Sequence, residues 1–171
     1  GFVLTVAIAD VAHYVKPRSA LDRDALERGN SVYFPDRVVP MLPERISNDL
    51  CSLKPSVDRA ALAVRMVIGV DVRKRSHTFH RVLMKSAAKL NYQQAQDAID
   101  GRPDDATGPL LDPVLRPLYD AYCTIKKARD ERGPLDLDLP ERKILLKADG
   151  TLDRVIVPQR LDAHRLIEEF M

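Results

Sequence analysis

The chain has 171 residues, 45% hydrophobic and 30% charged, which suits one globular domain that buries a core without disulfides or a structural metal. No apolar run approaches the roughly 18–20 residues of a membrane span, and Asp10 comes too early for a secretory leader, so neither is expected. Two cysteines, Cys51 and Cys123, make no disulfide framework, and 27 basic against 25 acidic residues single out no partner; the expectation is a soluble, cytoplasmic protein.

In chain order, Phe2, Leu4, Val6 and Ile8 alternate with Val3, Thr5, Ala7 and Ala9, and both sets are largely apolar. That predicts a strand in a sheet interior, with further strands on both sides. Ser19 caps a short helix through Asp22, Ala25 and Leu26 that stops at Gly29. Residues 31–34 read as extended. Pro35, Pro40 and Pro43 then keep Val38, Val39, Met41 and Leu42 out of any regular helix or central strand. A helical turn follows Glu44. Residues 60–70 and 76–85 form a hairpin around 71–75, where Val72 stands in place of the expected glycine.

Helical spacing returns at Tyr92, Ala95, Ala98 and Ile99 and ends at Gly101, before a polar loop over 102–108. The longest helix is expected over 112–132, with Leu115, Leu118, Tyr122, Ile125 and Ala128 inward and Gly133 as its stop. Leu135, Leu137 and Leu139 alternate with aspartates, and residues 143–146 and 152–157 flank a second hairpin turn at 148–151. The last residues, 162–171, read as a helix with Leu166, Ile167, Phe170 and Met171 on one side. Mixed hairpins and helices without a βαβ rhythm indicate an α+β fold: a mixed, largely antiparallel sheet packed by helices. The opening strand and the uncapped last helix suggest a piece of a larger protein; the alternative is a compact domain with trimmed termini.

Three stretches stand together in order: Val6-Ala7-Ile8-Ala9-Asp10-Val11, then Arg28-Gly29-Asn30-Ser31-Val32-Tyr33-Phe34-Pro35, then Val39-Pro40-Met41-Leu42-Pro43-Glu44 running into Ile46-Ser47-Asn48-Asp49-Leu50-Cys51-Ser52-Leu53. With Ala88-Lys89-Leu90-Asn91-Tyr92, the stretch 129–133, and Asp162-Ala163-His164-Arg165-Leu166-Ile167-Glu168-Glu169, they resemble the catalytic RNB domain of ribonuclease II and ribonuclease R exoribonucleases. The resemblance covers essentially residues 1–171 and is nearest the ribonuclease R branch. It implies a part of an RNB catalytic domain that hydrolyses single-stranded RNA processively from the 3′ end to nucleoside 5′-monophosphates. It also implies Mg²⁺ held by an aspartate cluster that the family places just before the opening strand, so no metal ligand is expected within this chain. The family's downstream arginine segment is absent as well, and these residues alone are expected to be inactive. Flanking cold-shock and S1 RNA-binding domains, and no DNA partner, are further implications.

The resemblance sets Tyr33 where the family stacks an aromatic on the last base, Tyr92 near the RNA path, and Glu168 in the catalytic cavity. Glu168 then either contacts the terminal sugar hydroxyls or helps to position water. Leu137 lies near the position of a phenylalanine that, in many members, closes the base stack, so the clamp here is either weaker or formed only by an aliphatic wall. Read from the residues alone, Tyr33 is a core tyrosine beside Phe34, and Tyr92 an inner-face residue of its helix. Glu169, about 100° round the helix from Glu168, cannot share its site and is expected to be solvated.

Asp10 is expected to be structural, and Asp104-Asp105-Ala106 a solvated loop. His77 and His80 face opposite ways on a strand and cannot share a metal. His164 is a helix-surface neighbour of Glu168. The two cysteines are expected to pack as small hydrophobes. The basic runs Arg73-Lys74-Arg75 and Lys126-Lys127 with Arg129 read as solvated unless they share a face. The competing readings are a non-catalytic RNA-binding scaffold and a regulatory relative with a degenerate site, and the residues preceding Gly1 would separate them.

Overall fold

In a computed structural model the described residues are 1–135 and 141–171. Leu137, expected to line the base stack, lies outside them.

The main sheet is antiparallel, in the order β1 (Phe2–Ala9), β4 (Asp58–Ile68), β5 (Lys74–Lys85). Period-two alternation divides it into two faces. Val6 opposite Val64 opposite Phe79, and Ile8 opposite Leu62, line one; Ala7 opposite Ala63 opposite His80 line the other. The fold is α+β with hairpins, as expected. The opening strand differs: among the described residues it pairs with β4 alone and lies at the sheet edge. Apolar alternation on both faces reports layers above and below a strand, whereas in-plane neighbours are set by backbone pairing, which periodicity does not encode.

The β4–β5 hairpin closes with the Gly69 N–H on the Arg73 carbonyl (2.9 Å) and the Val72 N–H on the Gly69 carbonyl (3.0 Å). This is a three-residue loop whose last position is left-handed. Val72 occupies it at φ +60°, so the misfit visible in the sequence is real. Before the hairpin come α1 (Val11–Tyr14) and α2 (Ala20–Arg28). Ser19 accepts from the Asp22 N–H at 3.1 Å and Gly29 ends α2 at φ +76°, both as predicted. Next, β2 (Val32–Tyr33) and β3 (Val38–Val39) form a separate two-stranded ribbon, and a wide helical turn follows at Arg45–Leu50.

The helices build the second layer. α3 (Tyr92–Ile99) opens on an Asn91 capping box: Asn91 accepts from the Gln94 N–H, and the Gln94 side chain accepts from the Asn91 N–H. The long helix expected over 112–132 divides into α4 (Gly108–Leu110), a wide π-type turn at Leu111–Leu115, and α5 (Arg116–Asp130). Pro113 and Pro117 have no N–H for a regular ladder, so the chain widens there and α5 restarts with Pro117 in its first turn. Ala98, Leu111 and Leu115 form a core cluster, with Leu90 and Leu110 against it. Ala121 and Tyr122 are buried, whereas Leu118, Ile125 and Ala128 are half-buried.

After the hairpin β6 (Lys143–Leu146) and β7 (Leu152–Ile156), α6 (Asp162–Phe170) buries Ala163 and Leu166. Met171, expected on one side of the helix with Leu166, is exposed, and so is Cys123, expected to pack as a small hydrophobe. Phe170 and Met171 meet the apolar sheet face across a groove of about 200 Å³ lined by Val6, Ile8, Leu62, Val64 and Phe79. Among the described residues no helix is long and apolar enough to cross a membrane.

Candidate nucleic-acid interface

Tyr33 lies on the β2–β3 ribbon opposite Val38. Short strands joined through Pro35 and Asp36 leave its ring 77% exposed, which removes the core reading. The ribbon is tied down by the Phe34 N–H on the Arg37 carbonyl (2.8 Å) and by Ser31 Oγ accepting from the Met41 N–H (2.9 Å). The Arg37 guanidinium lies over the neighbouring Phe34 ring at 5.1 Å, and Phe34 is less exposed than Tyr33.

Tyr92, half-exposed, stacks on the His164 ring at 4.1 Å between centroids and 26° between planes. It therefore packs against α6 instead of facing inward with Ala98. His164 Nδ1 accepts from the Leu161 N–H at 3.2 Å, so the residue expected on the helix surface also closes its first turn. The Glu168 carboxylate pairs with Arg160 and the Glu169 carboxylate with Arg129 of α5. Glu169 is not solvated: its side chain keeps a tenth of its exposure.

Both glutamates line one cleft of about 140 Å³ between α5 and α6, together with Tyr122, Lys126, Asp130 and Arg165. That overturns the exclusion drawn from their 100° offset. Carboxylates on long side chains are aimed by their partners as well as by the helix, and Arg160 and Arg129 approach the cleft from different elements. Lys126 and Arg129 share that cleft, whereas Lys127 lies outside it, so only part of this basic run shares a face. Lys126 is held by Asp130 at 2.7 Å. Arg73 and Arg75 meet Asp71 instead.

Between α5 and the start of α6, the Tyr122 and Tyr119 hydroxyls both approach Asp162, each at 3.4 Å. Burial, with Asp162 beside it, pushes the Tyr122 phenol up to about 12. Burial first, and the neighbouring Cys123 and Asp162 after it, do the same for Tyr119. Two tyrosines three apart on one helix face, with an aspartate at a later helix start, were the signal for this cluster.

The remaining acidic candidates serve the scaffold. Asp10, buried, caps α1 through the His13 N–H (3.1 Å) and pairs with Arg81 at 3.1 Å. Asp49 takes Lys54 at 2.6 Å and Arg59 at 2.9 Å, fastening the Ile46–Leu53 motif to β4; Lys54 first, then Arg59, hold its carboxyl below the usual range. Asp104 is exposed but is not merely solvated. It accepts from the Thr107 hydroxyl (2.7 Å) and N–H (2.8 Å) and from Gln94 (3.0 Å), and those bonds, the hydroxyl's first, lower its pKa.

A family profile described as RNB domain matches residues 1–171. The chain belongs to the RNB domain family. It is 42% identical to Ribonuclease R of Escherichia coli (strain K12), covering all of this chain and 21% of that protein. Ribonuclease R of Aquifex aeolicus is 36% identical over 99% of this chain and 24% of its own length. Among solved structures, Mycoplasma genitalium RNase R in complex with ribose methylated single-stranded RNA superposes with a TM-score of 0.92 at 30% identity. That match covers all of this chain and 27% of the other. The chain thus spans about a fifth to a quarter of these relatives.

The magnesium implied by the family was tested against the donors of this RNB segment. Among the described residues no group of three or more His, Cys, Asp or Glu side chains is placed to hold a metal ion. Asp10, Asp49, Glu168 and Glu169 each face a guanidinium or ammonium group instead. These residues do not fit a Mg²⁺ centre.

Proposed function

We propose that this chain is the RNA-guiding part of the catalytic domain of a cytoplasmic 3′-to-5′ exoribonuclease. The parent degrades single-stranded RNA processively to nucleoside 5′-monophosphates, with Mg²⁺ held outside these residues and cold-shock and S1 domains flanking the segment. The observation that carries this reading is the whole-chain likeness to an RNase R solved with single-stranded RNA. The exposed Tyr33 ring supports it. An aromatic face free of packing stacks on any base, which suits an enzyme that must accept every sequence.

Tyr92 offers one ring face to RNA while His164 backs the other. Glu168, half-exposed beside Arg160, accepts from a terminal sugar hydroxyl or orients water. Tyr33 sets how far the strand enters, because a stacked terminal base fixes which phosphate lies at the point of cleavage. The test uses the intact parent protein and 3′-labelled single-stranded RNA with Mg²⁺. The expected result is labelled mononucleotide from the first turnover, abolished by EDTA. Internal cleavage fragments, or RNA binding without any product, would refute the exonuclease reading.

A further inference from the structure

Among the described residues, the first turn of α6 is tied to α3 at two points on one face. Tyr92 and Gln96 are four apart on α3 and so lie together. The Gln96 side-chain oxygen accepts from the Ala163 N–H at 3.1 Å, and the Tyr92 ring lies on His164. His164 in turn accepts from the Leu161 N–H through Nδ1, which requires the neutral ring with its proton on Nε2. Leu161 adjoins Arg160, whose guanidinium holds Glu168 one helical turn beyond His164. The contacts form a circuit through His164, the Leu161 N–H, Arg160, Glu168 and back along α6 to His164, with the Tyr92 ring stacked on it.

We infer that His164 is a positioning residue that sets two RNA-facing groups at once, the Tyr92 ring by stacking and the Glu168 carboxylate through the Leu161–Arg160 segment. The inference rests on the exoribonuclease reading and assigns His164 no contact with RNA. The two functions use different parts of the imidazole. The flat face supports Tyr92, and the in-plane lone pair of Nδ1 holds the segment that carries Arg160. One residue type supplies both, so substitutions can separate them.

In the intact parent enzyme, His164→Gln retains an acceptor able to reach back to the Leu161 N–H, as glutamine does at this helix position, but removes the ring. It is expected to raise KM for a short RNA by roughly 2- to 10-fold, the worth of an aromatic pair, with kcat held. His164→Phe retains a ring for Tyr92 but removes the acceptor. It is expected to hold KM and lower kcat, because the freed 160–161 segment no longer keeps Arg160 on Glu168. Adding Tyr92→Ala to His164→Gln should raise KM no further than Tyr92→Ala alone, since both remove the same contact.

A role confined to stability would move both unfolding midpoints and leave KM and kcat of the folded enzyme unchanged, which would overturn the inference. So would equal losses in both variants. Failure of the unmutated parent to release mononucleotides would refute the functional reading itself, and the inference with it.

Discussion

Tyr33→Ala in the intact enzyme separates recognition from folding with unusual cleanness. The ring is 77% exposed and faces one cross-strand neighbour, Val38. A cross-strand pair contributes roughly 0.2–1 kcal/mol, so the substitution should cost less than about 1 kcal/mol of stability. Stacking on a base is worth about 1–3 kcal/mol, which corresponds to roughly 5- to 150-fold in the dissociation constant of an RNA held mainly at its 3′ end. Long RNA keeps its remaining phosphate contacts and should still be degraded, whereas short RNA should dissociate sooner. The expected readout is a longer limit product on a denaturing gel, at an unfolding midpoint close to that of the unmutated enzyme. An unchanged limit product would refute stacking by Tyr33. A large drop in stability would show that the ring packs in the intact protein.

Val72→Asn should stabilise the chain by about 0.5–1.5 kcal/mol in urea unfolding, because asparagine tolerates the left-handed φ of +60° that valine strains to adopt; destabilisation would mean that the half-buried Val72 side chain outweighs its backbone. Thr107→Val, at a fully buried position, removes the hydroxyl bonded to Asp104 and should cost about 1 kcal/mol in the same assay. The raised Tyr119 and Tyr122 set an alkaline limit: from about pH 10 the unfolded chain loses phenol protons that the folded one keeps to about 12, so stability falls across that window. Tyr122→Phe should make the fall shallower, read by unfolding midpoints at stepped pH. These 171 residues alone should release no mononucleotides from RNA in Mg²⁺, and EDTA-sensitive turnover by them would overturn the assignment of the metal ligands to residues outside this stretch.

What could be read from the sequence was local. The period-two runs of the β4–β5 hairpin, the Ser19 and Gly29 caps of α2, and the misfit at Val72 each depend on residues a few positions apart, and each is present in the structure. The contacts that join α5 to α6 link residues about 40 apart: Arg129 with Glu169, and Tyr119 and Tyr122 with Asp162. No periodicity reports such pairs, and a 100° offset on the helix does not tell that Arg129 waits for Glu169. The break before α5 is a different case. The apolar stripe runs through Pro113 and Pro117, but their missing donors break the hydrogen-bond ladder, and the ladder decides where the helix starts.

The two regions proposed to face RNA rest on unequal foundations, and this bears on how substitutions in them will act. The Tyr33 ribbon has two residue pairs, with Val32, Tyr33, Val38 and Val39 all exposed. Little apolar area is lost if it opens, so its local opening costs far less than global unfolding. The Tyr92–His164–Glu168 seam belongs to α3 and α6, whose buried faces include Ala98, Ala163 and Leu166. Displacing it disrupts packed apolar contacts as well as the site. Substitutions in the ribbon should therefore change RNA affinity at nearly constant stability, whereas those in the seam should couple the two. That is why the His164 pair of variants must retain one contact while deleting the other: at a site carried by packed helices, loss of activity alone does not distinguish a misplaced group from an unfolded one.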